Sequence, residues 1–94
     1  MYLQKINLKN KYALVTGAGK GLGRACSIAL AEAGATIIAI SRTSSDLDKL
    51  EKIIKKIKGK VIKIPCDVMN YNDLKKKIDK IKIIDVLVNN AGTN

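Results

Sequence analysis

The chain is 94 residues long and 47% hydrophobic, which suits one small globular domain rather than a disordered segment. Its formal net charge is +10, carried by sixteen Lys and two Arg against eight acidic residues. Proteins that read nucleic acids usually rely on Arg and on aromatic side chains, whereas the aromatic residues here are three Tyr. We therefore interpret the lysines as solvated faces and predict no nucleic-acid partner.

The composition also argues against a metal site and a membrane segment. The two cysteines, Cys26 and Cys66, lack the spacing of a zinc site, and the sequence contains no His. Both are typical of small buried residues in a reducing compartment. Residues 1–10 lack the pattern of a signal peptide, and no apolar run reaches the length of a membrane span. The sequence thus predicts a cytoplasmic protein with no metal and no membrane partner.

The first half of the chain alternates strands with a helix. After a lead-in over residues 1–10, the largely aliphatic run 11–16 predicts a strand buried on both faces of a parallel sheet. A glycine-rich loop then leads into an apolar helix over 21–33, with Gly34 as its C-cap. A second aliphatic strand is predicted over 35–41.

The second half repeats this alternation. A helix is predicted to begin near Ser44 or Ser45 and to end at Gly59, with Ser45 and Asp48 in a capping-box pattern. Apolar residues recur at spacings of three and four along it: Leu47, Leu50, Ile53, Ile54 and Ile57. The remaining predicted elements are a strand over 60–66, a helix over 71–80 and a strand over 83–89.

Strict alternation predicts an α/β fold in which right-handed crossovers build a parallel sheet. The order βαβαβαβ predicts the first half only of a Rossmann-type doubly wound sheet, with strand order 3-2-1-4. Ligands of such sheets bind at the carboxyl ends of the strands, near the point where the order reverses. Four polar or glycine-rich clusters fall at that edge: residues 17–23, 41–42, 67–68 and 89–92.

The loop after the first strand has the chemistry of a phosphate cradle. Its glycines permit positive φ and let the backbone approach a ligand closely. The helix that follows directs free N–H groups and the positive end of its dipole at the loop. A strand before the loop and a helix after it favour a dinucleotide site over a plain turn. The cofactor-binding candidates here are Gly17, Gly19, Lys20, Gly21, Leu22 and Gly23.

From Lys11 onward the chain resembles the amino-terminal half of the short-chain dehydrogenase/reductase family. The family pattern TGxxxGxG is matched by Thr16, Gly17, Gly21 and Gly23. The later family pattern NNAG is matched in full by residues 89–92. The two motifs at this separation are highly specific together.

The resemblance also implies roles for single residues. Asp67 and Val68 match an Asp-Val pair that flanks the adenine in the family. Gly17, Leu22 and the rest of the loop approach the pyrophosphate. The ribose side is lined by Asn90, Ala91 and Gly92. The roles implied for Thr16 and Asn89 are structural, since both hold the sheet together.

Charge at the end of the second strand favours NADP over NAD. An NAD site usually has a carboxylate there, which accepts hydrogen bonds from the ribose 2′-OH and repels a 2′-phosphate. This sequence has Ser41 followed by Arg42 at that point. A hydroxyl and a guanidinium suit the 2′-phosphate, and Lys20 in the glycine loop adds a second cation.

By resemblance, the parent protein is an NADP(H)-dependent oxidoreductase that interconverts small-molecule carbonyls and alcohols by hydride transfer. Family enzymes use a Ser and a Tyr-x-x-x-Lys pair that lie beyond the NNAG segment. This chain ends two residues after that segment, so we expect it to hold no catalytic residue and to be inactive alone. Tyr71 and Lys75 have the Tyr-x-x-x-Lys spacing, but they precede NNAG and are interpreted as structural.

The family domain is more than twice as long as this chain. We therefore expect residues 1–94 to be the NADP-binding half-domain of a longer single-domain enzyme, whose parent is a homo-oligomer, either a dimer or a tetramer. The fourth strand would then expose an aliphatic edge, which favours association. A noncatalytic nucleotide-binding module is the alternative. A methyltransferase with a related fold is disfavoured by NNAG and Arg42.

Overall fold

In the computed structural model of the protein, residues 7–81 and 83–90 are described. Strands and helices alternate along them, as the hydrophobic pattern predicts. The elements are β1 (Tyr12–Thr16), α1 (Gly21–Glu32), β2 (Thr36–Ser41), α2 (Ser44–Lys56), β3 (Lys60–Pro65), α3 (Tyr71–Ile78) and β4 (Val86–Asn89). The strands form one parallel sheet in the order β3-β2-β1-β4, which confirms the predicted α/β topology.

The sheet separates two apolar clusters because side chains alternate along each strand. One face is covered by α1 and α2, and its buried residues include Ala13, Val15, Ile37, Ala39, Leu47, Leu50 and Ile54. The other face packs against α3 and contains Leu14, Ile38, Ile40 and Cys66. Strands β1 and β2 are therefore buried on both faces, as their uninterrupted apolar runs predict.

Cys26 differs from its prediction. Cys66 is buried at the end of β3, whereas Cys26 is only half-buried on α1. The reason is its place on the helix, since neither apolar cluster includes the Cys26 side chain. An apolar helix does not bury every side of itself when it covers a sheet on one side only.

Strand β4 begins at Val86 and not at residue 83 as predicted. Hydrogen bonding between β4 and β1 begins at Tyr12, the first residue of β1, because the Asp85 N–H donates to the Tyr12 carbonyl at 2.8 Å. The Asp85 carboxylate accepts the Tyr12 N–H, also at 2.8 Å. This reciprocal pair sets the register of β4 on β1, and the exposed residues Ile83 and Ile84 precede it.

The predicted capping box of α2 is wrong. Thr43 is the N-cap residue, and it makes no side-chain cap hydrogen bond. The Asp48 carboxylate instead lies 2.8 Å from the Lys63 ammonium of β3, and this hydrogen bond lowers the pKa of Asp48. Asp46 is the acidic residue of the first turn, and it is buried.

Ile54 and Ile57 give a direct test of the α2 packing. Ile54 is fully buried between α2 and the sheet, whereas Ile57 is 40% exposed at the end of the helix. We expect Ile54→Ala to lower the free energy of unfolding by about 2 to 5 kcal/mol, because it leaves a cavity. Ile57→Ala should cost less than about 1 kcal/mol. Urea unfolding followed by circular dichroism measures both, and equal costs would contradict the packing described.

Candidate cofactor-binding site

A cleft of about 590 Å³ opens at the carboxyl ends of the strands. All four predicted clusters contribute to its wall. The predicted residues that line it are Gly17, Gly19, Lys20, Gly21, Leu22, Ser41, Arg42, Asp67, Val68 and Asn90. Gly23 is buried directly behind the loop. Ala91 and Gly92 lie outside the described residues, so their placement stays a prediction.

The glycine loop has the backbone that the sequence predicts. Gly17 and Gly21 have φ of 62° and 52°, in the left-handed region that favours glycine. A Cβ on Gly23 would overlap the carbonyl oxygen of Gly17 and lie 2.9 Å from the Asn90 side-chain nitrogen. A Cβ on Gly21 would meet nothing within 4 Å. The loop is thus closely packed at Gly23 and open at Gly21, which leaves room for a ligand at the start of α1.

Side chains of α1 hold the loop in place from behind. The Arg24 guanidinium donates two hydrogen bonds to the Gly19 carbonyl, at 3.1 and 2.8 Å. The Ser27 hydroxyl donates to the Gly23 carbonyl at 2.8 Å. Lys20, the N-cap residue, makes no side-chain cap hydrogen bond, so the first N–H groups of α1 have no side-chain acceptor from it. Sequence reasoning missed Arg24, whose signal is the single basic residue of an otherwise largely apolar α1.

Thr16 joins the loop to β4. Its hydroxyl lies 3.2 Å from the Asn89 side-chain oxygen and accepts the Asn90 N–H at 3.0 Å. These contacts agree with the sheet-holding role that the resemblance implies for Thr16 and Asn89. They also place Asn90 beside Gly23 in the wall of the cleft.

The β2 side of the cleft is lined by Ser41, Arg42 and Lys20. Asp46, which the sequence did not assign to the site, lines the cleft as well. A Cβ on Gly19 would lie 3.0 Å from the Ser41 oxygen and 2.7 Å from the Asp46 Cβ. The glycine loop therefore lies directly against the end of β2 and the first turn of α2. The Lys20 ammonium is 3.8 Å from the Asp46 carboxylate. The only sequence signal for Asp46 is an acid in the first turn of the helix after β2.

The other end of the cleft contains Asp67 and Val68. The Asp67 carboxylate accepts the Met69 N–H at 2.9 Å, which forms the turn after β3. Val68 packs against the α3-side cluster. Cys66, immediately before this turn, donates its thiol hydrogen to Asp73 at 3.3 Å. Burial, and then the Asp73 carboxylate, raise the pKa of the Cys66 thiol, which disfavours the reactive thiolate form.

Tyr71 and Lys75 do not line the cleft. Tyr71 is the exposed first residue of α3. Lys75 lies 3.1 Å from Asp79 one turn later, and this hydrogen bond raises the pKa of Lys75. Lys75 is therefore engaged within its own helix, which agrees with the structural interpretation of this pair.

Two further properties concern the described part of the chain. No helix in residues 7–81 and 83–90 is long and apolar enough to cross a membrane. Among the same residues, no group of three or more His, Cys, Asp or Glu side chains could hold a metal ion.

Comparison with known proteins identifies the family. Residues 11–94 match the family model described as short chain dehydrogenase. The L-xylulose reductase of Mus musculus is 40% identical over 87 residues, which cover 93% of this chain and 34% of that protein. The short-chain dehydrogenase/reductase homolog YusS of Bacillus subtilis is 38% identical over 92 residues, which cover 93% of this chain and 84% of that protein. The chain belongs to the short-chain dehydrogenase/reductase family and spans about a third of the length of the mouse relative.

Solved structures agree with this assignment. A metagenomic short-chain oxidoreductase in complex with NADP has a TM-score of 0.82 and 30% identity, covering 90% of this chain and 40% of that one. The carveol dehydrogenase of Mycobacterium avium in complex with NAD has a TM-score of 0.78 and 25% identity, covering 94% of this chain and 38% of that one. Proteins with this fold thus bind either nicotinamide dinucleotide.

Gly23 and Gly21 provide a test of the loop geometry that needs no ligand. Gly23→Ala should lower the free energy of unfolding by about 3 kcal/mol or more, because the new methyl group overlaps backbone that cannot move aside. Gly21→Ala should cost about 1 to 2 kcal/mol, because only the positive φ opposes it. The measurement is the urea midpoint of each variant, and a Gly21→Ala protein less stable than Gly23→Ala would refute this geometry.

Proposed function

We propose that the chain is the cofactor-binding half of an NADP(H)-dependent oxidoreductase that interconverts carbonyls and alcohols by hydride transfer. The observation that carries this proposal is the β2 side of the cleft. Ser41 stands where an NAD site has a carboxylate, and the cations Arg42 and Lys20 line the same cleft.

The loop suits the pyrophosphate of such a cofactor. The backbone is open at Gly21, where a Cβ would meet nothing within 4 Å, and α1 starts at this residue. Free N–H groups and the helix dipole together favour an anion at this point. When bound, the nicotinamide ring supplies the hydride, and the residues of this chain bind and orient the cofactor.

The other assignments follow the cleft toward its two ends. Asp67 and Val68 flank the adenine, and Asn90 lines the ribose side together with Ala91 and Gly92. Arg42 and Lys20 bind the 2′-phosphate, since a guanidinium forms paired charge-assisted hydrogen bonds with phosphate and an ammonium adds a mobile charge. Residues 1–94 thus form the NADP-binding half-domain, and the parent protein is a cytoplasmic homo-oligomer that acts on a small molecule.

A noncatalytic nucleotide-binding module is the second candidate. The observation that favours it is a short relative, since the 92 matched residues make up 84% of the Bacillus subtilis homolog. The two candidates share the cofactor site and differ in whether a proton donor is supplied. A downstream Ser and Tyr-x-x-x-Lys in the same reading frame would decide for the oxidoreductase.

Arg42→Asp tests the choice of cofactor. The unmutated protein should bind NADPH more tightly than NADH, and the variant should reverse or abolish this preference. Losing one charge-assisted contact to phosphate costs about 1.5 to 3 kcal/mol, or roughly ten- to more than a hundredfold in affinity. Calorimetric titration of the protein with each cofactor gives the two dissociation constants.

The matched control for this measurement is Lys80→Asp. It makes the same change of charge just after the end of α3, and Lys80 does not line the cleft. Its cofactor preference should equal that of the unmutated protein. Equal dissociation constants for NADPH and NADH in the unmutated protein would refute the assignment of the 2′-phosphate site.

The chain alone should bind cofactor without turning it over. Among the described residues that line the cleft there is no Tyr, so no phenol is placed to protonate a developing alkoxide. We expect no NADPH oxidation above the buffer rate with a panel of ketones and aldehydes. Tyr71→Phe serves as the control, and turnover that is lost in this variant would show that Tyr71 is catalytic after all.

A further inference from the structure

Asp46 occupies an unusual place for a charged residue. Its side chain is only 10% exposed, yet it lines the cleft at the first turn of α2. Within residues 7–81 and 83–90, its carboxylate accepts no hydrogen bond, and its one ion pair is with Lys20 at 3.8 Å. A nearly buried carboxylate is costly unless it is paired, so this ammonium is its natural partner.

The side chains of Asp46 and Lys20 differ in conformational freedom. Asp46 is held by the helix and by contact with the glycine loop, since even a methyl group on Gly19 would lie 2.7 Å from its Cβ. Lys20 is 79% exposed on a long flexible stem. The ammonium can therefore turn toward a ligand, whereas the carboxylate stays where it is.

This arrangement affects the 2′-phosphate directly. Of the two cations on the β2 side, Lys20 lies next to a fixed negative charge and Arg42 has no ion pair among the described residues. A phosphate that recruits Lys20 must draw it from Asp46 and must accept a carboxylate as its neighbour. Both effects oppose a ligand with a 2′-phosphate, and neither acts on a ligand with a 2′-hydroxyl.

We infer that Asp46 is a specificity-determining residue that limits the preference for NADP over NAD by competing with the 2′-phosphate for Lys20. The inference rests on the proposed function and extends it to a residue outside the glycine loop and the β2 end. Removing this carboxylate should strengthen the binding of 2′-phosphorylated ligands and leave other adenosine nucleotides almost unchanged.

The test uses Asp46→Asn with the probes adenosine 2′,5′-bisphosphate and 5′-AMP, which differ only in the 2′-phosphate. In Asp46→Asn the dissociation constant of the bisphosphate should fall about three- to tenfold, as expected when a partly exposed ion pair is released. That of 5′-AMP should change less than about twofold. Asp46→Ser removes the same charge with a smaller side chain and serves if Asp46→Asn does not fold, as judged by its thermal melt.

Asp48→Asn is the matched control. It removes the same charge from the same helix and raises the formal net charge of +10 by the same one unit. The Asp48 side chain is 59% exposed, pairs with Lys63 of β3 and does not line the cleft. Its affinity for both probes should match that of the unmutated protein, which separates a local effect from a general attraction of anions.

Repeating the measurement in a Lys20→Met background tests whether Asp46 acts through Lys20. There the effect of Asp46→Asn should be smaller, because the ammonium for which the carboxylate competes is gone and only the repulsion between carboxylate and phosphate remains. Weaker bisphosphate binding in Asp46→Asn would mean that Asp46 holds Lys20 in place for the phosphate, and would overturn the inference. So would unchanged binding, or a full effect in the Lys20→Met background. If the unmutated protein binds neither probe, the proposed function itself fails, and this inference fails with it.

Discussion

The close approach of Gly23 to the Gly17 carbonyl is the constraint on which the site depends. Because any side chain at Gly23 would overlap that oxygen, glycine alone lets α1 start this near to the end of β1. The same approach brings the Asn90 amide against the loop, and Thr16 fixes Asn90 by accepting its N–H. The cleft wall is thus built from β1, α1 and β4 at one point, where small changes of backbone position affect all three.

Hydrogen bonding divides the loop into an inner and an outer side. Arg24 and Ser27 satisfy the Gly19 and Gly23 carbonyls from within α1, so these acceptors are occupied. The donors at the start of the helix have no side-chain cap from Lys20. Free N–H groups and the positive dipole end at the start of a helix favour an anion over a cation or a neutral ligand. The charged residues Lys20, Arg42 and Asp46 line the β2 side of the same cleft.

The alternation of strands and helices, the order of the sheet and the positions of the four edge clusters were all predictable from sequence. They depend on local period and on general rules of connection, which are properties of neighbouring residues. The errors have another origin. Asp48 forms an ion pair with Lys63 instead of capping α2, and Asp85 sets the start of β4 by pairing with Tyr12. Both are contacts between different elements, 15 residues apart for the first pair and 73 for the second.

What the sequence by itself determined is therefore the fold, the position of the glycine loop, and a serine in place of an acid at the end of β2. Hydrophobic periodicity predicts the fold, and glycine spacing predicts the loop. The motifs TGxxxGxG and NNAG give the resemblance to the family. Only the tertiary structure decided that Asp46 lies beside Lys20, that Arg24 supports the loop, and that Cys26 is left half-buried. The physical reason is that these outcomes depend on distances of a few ångströms between packed elements, and such distances follow from the shapes of side chains in three dimensions.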